Sequence, residues 1–115
     1  VLFSCASHKY STSEVTAILV GTWIEKQSVD KSSFLFVRAE KYEHNIKGMT
    51  FEKNGKVNMY FPFGCQTPPS FKTSTSQWKV VGKCYVEIEN SHPGQEPERL
   101  KIVQINRNKL RFIYD

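Results

Sequence analysis

No stretch of apolar residues in this 115-residue chain approaches the roughly 20 that a membrane-spanning helix requires, so no helical span is expected. Internal repeats, low-complexity tracts and linkers that would split the chain are missing too, and the length leaves room for one domain with one modest core. The 16 Lys and Arg never gather into a run. The net charge of +5 therefore reads as a soluble basic surface rather than a nucleic-acid footprint, which calls for clustering. Catalytic signatures are absent: there is no Gly-x-Ser-x-Gly elbow, no phosphate-cradling glycine loop and no His-Glu-x-x-His. His8, His44 and His92 fall in expected loops or the N-terminal tether, and the Cys5-x-x-His8 spacing has no second pair to complete a zinc set. Neither enzymatic activity nor a metal or cofactor is expected. The three cysteines, Cys5, Cys65 and Cys84, are an odd number and cannot all pair within one chain.

What is present points to β structure. The apolar share is 39%, with eight Phe, five Tyr and two Trp. From Ile46 to Pro62 apolar and polar residues alternate on both sides of Asn54-Gly55, a strong hairpin signal. Met49 and Phe51 then share a face with Val57, Met59 and Phe61, and that face needs a partner, because a lone two-stranded ribbon is marginal in water. Further strands are expected over Leu19–Gln27, Phe34–Glu40, Gln77–Val81, Lys83–Asn90, Arg99–Asn106 and Lys109–Asp115. Ser11-x-x-Glu14 reads as a capping box opening a helical turn or two before the first strand. Eight strands close into a barrel that side chains fill or that holds one small ligand.

Gly21-Thr22-Trp23, placed after that helical lead-in and before seven more strands, resembles the Gly-x-Trp of lipocalins, whose Trp plugs one end of an up-and-down barrel. The chain from about Ser11 is similar in size and pattern to small bacterial lipocalin-like lipoproteins, with residues 11–115 as the barrel and 1–10 as signal end and tether. Val1-Leu2-Phe3-Ser4-Cys5 resembles the end of a lipoprotein signal peptide, which implies lipidation of Cys5 and residence in the bacterial cell envelope or secretion. The acidic residue that sometimes follows a lipid cysteine is absent from Ala6-Ser7-His8-Lys9. Arg111 is the candidate for the arginine that packs on the Trp in that family. Trp23, Phe51, Phe61, Trp78 and Phe112 are the expected interior aromatics.

If direction reverses at every connection, the long connections Lys41–Asn45, Phe63–Ser76 and Ser91–Glu98 share the rim where the chain enters, opposite the tight turns. Cys65 then sits near Cys5, Cys84 lies at the far rim as a buried thiol, and a Cys5–Cys65 disulfide is favoured. That bridge and lipidation of Cys5 exclude each other, and both remain open. The Phe63–Ser76 loop, stiffened by Pro68-Pro69 and carrying Phe71 and Lys72, reads as a preorganised binding loop. Small secreted barrels that block peptidases, the potempins among them, resemble this plan. The resemblance implies a monomeric inhibitor of a secreted peptidase acting through Cys5, Ala6, Ser7, Cys65, Pro68, Pro69, Phe71 and Lys72. The alternative is a lipocalin-type carrier of a small apolar molecule, which tight turns at the far rim disfavour. An oligonucleotide-binding barrel is the third reading, disfavoured by eight strands and scattered lysines.

Overall fold

Ser11 is extended (φ −72°, ψ 168°), and its hydroxyl accepts from Glu14 N while the Glu14 carboxylate accepts from Ser11 N. This capping box starts α1, Thr12–Leu19, and its hydrogen bonds, the backbone one foremost, hold the Glu14 carboxyl below the usual carboxylate range. Val15 and Leu19, four apart and so on one helical face, are fully buried and belong to the barrel's core cluster. The computed structural model describes residues 9–27, 33–63, 70–89 and 96–114.

Eight strands follow the helix: β1 Gly21–Gln27, β2 Ser33–Ala39, β3 Gly48–Phe51, β4 Lys56–Phe63, β5 Ser70–Val81, β6 Tyr85–Ile88, β7 Glu98–Ile105 and β8 Lys109–Tyr114. All pair antiparallel and close a barrel, as the count of alternating segments implied. The hairpin around Asn54-Gly55 keeps the expected face, with Met49 opposite Met59 and Phe51 opposite Val57. Its turn is one residue longer than the two-residue connection expected. Gly55 N donates to Glu52 O and Glu52 N to Lys56 O, and Gly55 alone takes a positive φ (91°), the geometry of a three-residue loop with a glycine bulge.

The strand order differs from an up-and-down barrel. Around the ring it runs β1-β2-β8-β7-β6-β5-β4-β3, so β1 lies between β2 and β3, and β2 rather than β1 meets β8. Because β2 and β3 are both antiparallel to β1, they run in the same direction, and residues 40–47 carry the chain back up the barrel between them. Tyr42 fastens this crossing to the outside of the sheet. Its ring stacks on outward-facing Tyr60 (5.2 Å between centroids, 9°), and its hydroxyl donates to Asn58 O and accepts from Thr50 Oγ1. Gly48 makes room for it: a Cβ there would lie 2.7 Å from Tyr42 Cδ1.

One crossing reverses the rim assignment of everything downstream. The tight turns at residues 53–55, 82–84 and 106–108 lie at the α1 end, where Arg38 N donates to Asn108 O beside the Trp23 pair. β4 ends at Phe63 and β5 begins at Ser70 on the opposite rim, so the expected sharing of a rim between the chain entry and the proline segment is overturned. With it goes the argument for a Cys5–Cys65 bridge. Cys84 lies at the α1 rim, not the far one, buried at 3% exposure, and it is not the free thiol expected. Cys5 and Cys65 fall outside the described residues. The expected long loop is also shorter, because Ser70–Ser76 already pairs with β4. Its serines and threonines face both ways, which left no apolar period to read.

Candidate binding site

The two ends of the barrel differ in kind. At the α1 end the last helical carbonyls need partners, since the helix supplies none. Trp23 Nε1 donates to Leu19 O (2.9 Å), Arg38 Nη1 to Val20 O (2.9 Å) and Arg38 Nη2 to Ile18 O. Arg38 Nε donates to Arg107 O across the turn between β7 and β8 (2.6 Å), and the guanidinium carbon lies 4.3 Å from the Trp23 ring centroid. One cation thus ties helix, first strand and last hairpin together at the negative pole of the helix. Burial and then nearby Arg107 lower the Arg38 pKa, and the group stays protonated. The arginine on the Trp is therefore Arg38 on β2, not Arg111. Arg111 lies between inward Leu110 and Phe112 and so faces out. Only a glycine at 21 tolerates φ 132° beside this cluster, where a Cβ would sit 2.3 Å from Arg38 Nη1. This end is sealed.

Among the described residues the opposite end is open. A cavity of about 260 Å³ lies between the upper parts of β2, β3, β4, β6, β7 and β8. One wall is aromatic: Phe34 meets Phe112 (5.7 Å) and Tyr114 (5.3 Å, edge-on), and Phe36 stacks on Phe112 (5.2 Å, 21°). Met49 and Met59, paired across β3 and β4, face it with Phe61, Ile88 and Leu100. Methionine side chains adapt to the shape of what they meet. Lys47 and Glu98 stand among the lining residues, and Tyr114 at the lip is 51% exposed. Burial foremost, then Glu98 and Glu25, raise the Tyr114 phenol above its ordinary pKa.

Of the expected interior aromatics, Trp23, Phe51, Trp78 and Phe112 are buried, and half-buried Phe61 borders the cavity. Trp78 Nε1 donates to Glu52 O and its ring meets Phe51 edge-on. Cys5, Ala6, Ser7, Cys65, Pro68 and Pro69 lie outside the described residues. Phe71 packs its ring on Tyr60 at 4.9 Å on the outside of the barrel, whereas Lys72 alternates to the other face, opposite Phe61. The structure gathers instead a set that sequence reasoning had not singled out: Phe34, Phe36, Lys47, Glu98, Leu100 and Tyr114. A signal existed in the alternation Phe34-x-Phe36 against Phe112-x-Tyr114, one aromatic face built from two strands. No family model, no curated protein and no solved structure matches this chain; what it has in common with lipocalin-like barrels is eight closed antiparallel strands behind a short helix, with a strand order that departs from the up-and-down plan.

Proposed function

We propose that this chain is a non-enzymatic binding protein that holds a small apolar ligand in the open end of its barrel. The observation that carries the reading is the polarity of the barrel. A Trp–Arg–helix plug seals one end, and an apolar cavity of about 260 Å³ opens at the other, on the rim free of the three tight turns. The feature that counted against a carrier was tight turns at the mouth, and the crossing between β2 and β3 moves them to the sealed end. At roughly 30 Å³ per water-sized group the space takes eight or nine carbon-sized groups. A medium-length alcohol such as decanol, with about eight or nine carbons inside and its head at the lip, is the natural first probe. At one hundred times its dissociation constant it should stabilise the protein by about 2.7 kcal/mol, read as a rise in Tm of roughly 10 °C. Filling the space from its wall with Leu100→Trp should abolish that rise. Failure of decanol and comparable apolar probes to shift Tm counts against the reading.

A second reading, inhibition of a secreted peptidase, is favoured by one observation: the Phe71 ring, two residues after the 64–69 connection, is seated on Tyr60. Such an inhibitor works from the open rim, without the chain entry. It predicts nanomolar capture of a co-secreted peptidase, lost on Phe71→Ala, with the ligand-induced rise in Tm retained.

A further inference from the structure

The cavity is apolar within, and its lip is charged. Glu25 pairs with Phe36 on the inner face of β1, and Glu98 stands two residues before inward-facing Leu100 on β7. Glu98 and Tyr114 both line the cavity and Leu100 pairs with Tyr114, so Glu98 stands at the lip, while Glu25 lies on the wall beside cavity-lining Phe36. Among the described residues neither is in an ion pair; the pairs present join Lys79 and Arg99 to Glu87 on the outer face. The cation at the lip is already engaged, since Lys47 Nζ lies 5.5 Å from the Phe34 ring centroid. Phe34 and Tyr114 meet edge-on at 5.3 Å, and both line the cavity.

We propose that the open end selects apolar ligands bearing an ammonium group, which seats against the Phe34 and Tyr114 rings beside the carboxylate of Glu98, with Glu25 on the wall next to Phe36. This rests on the binding reading above and adds the chemical class of the ligand. The protein's own ammonium on Phe34 shows that this ring accepts a cation in place. An anionic headgroup would meet the carboxylates of Glu98 and Glu25, which among the described residues have no ion-pair partner, and Lys47, the lysine among the described lining residues, must first leave its ring. A cationic headgroup neutralises the carboxylates and takes over the ring that Lys47 covers.

Decylammonium, decanol and decanoate share one tail and differ at the head, so calorimetric titration of the full chain with each separates tail from headgroup. Decylammonium should bind about tenfold more tightly than decanol, and decanoate more weakly than either. Glu98→Gln should cut the preference for decylammonium over decanol to about threefold, because an exposed carboxylate supplies only part of the attraction. Lys47→Gln should tighten decylammonium severalfold by vacating the Phe34 ring. Equal affinity for decanol and decylammonium, or tightest binding of decanoate, overturns the ammonium assignment while leaving the apolar site standing. Failure of all three to bind overturns both.

Discussion

Replacing Trp23 with alanine is expected to destabilise the protein by about 3–5 kcal/mol and to lower Tm by roughly 15 °C, measured by thermal or urea unfolding followed by circular dichroism. The side chain is fully buried, so truncation removes the largest apolar volume at the sealed end and leaves a cavity beneath α1. Two further losses follow. Leu19 O loses the indole N–H, the partner it has in place of a helical one, and the Arg38 guanidinium loses the ring it lies on. Trp23→Phe separates these terms, because it keeps most of the volume and removes only the donor. It should cost about 1–3 kcal/mol, the range for one buried acceptor left unsatisfied. A Trp23→Ala variant within 1 kcal/mol of the parent is incompatible with the plug described here.

Arg38→Ala is expected to cost about 2–3 kcal/mol, for a different reason. Three carbonyls, at Ile18, Val20 and Arg107, converge on this one group. Each charge-assisted bond is worth more than a neutral one, but the guanidinium is partly exposed, and water recovers some of each loss. Arg38→Lys should recover less than half. An ammonium cannot span carbonyls contributed by a helix end and a distant turn, nor lie flat on an indole. The Trp23→Ala and Arg38→Ala double variant should be less unstable than the sum of the singles by about 1–2 kcal/mol, since each removes part of the other's environment. Strict additivity would mean that the ring and the cation do not act together.

The barrel was legible where one face was apolar and the other was not. Alternation in Leu110, Phe112 and Tyr114, and in Val86 and Ile88, announced strands because those residues line an interior, and Ser11 and Glu14 announced the helix through chemistry confined to four positions. Neighbour identity was not legible. An eight-residue connection such as 40–47 can return to the adjacent strand or climb past it, and only Tyr42 lodged against Gly48 and Tyr60 decides the matter. The same gap hid the site. Phe34 and Tyr114 read as ordinary strand aromatics until the order of the ring placed both at the open end. Arg38 escaped notice because the resemblance directed attention to the last strand, whereas the strand beside β1 that carries the cation is the second.

The placement of β1 and β2 also bears on how the ring assembles. Strands β3 to β8 each pair with the next, so this six-stranded curl can form from neighbours in sequence, while the β1–β2 ribbon must mate at both borders, with β3 on one side and with β8, more than 70 residues away, on the other. The ribbon therefore acts as a keystone. Until it slots in, two raw strand borders face solvent and the Phe34–Phe112 wall does not exist, so the aromatic side of the cavity should form in the last and slowest step of folding.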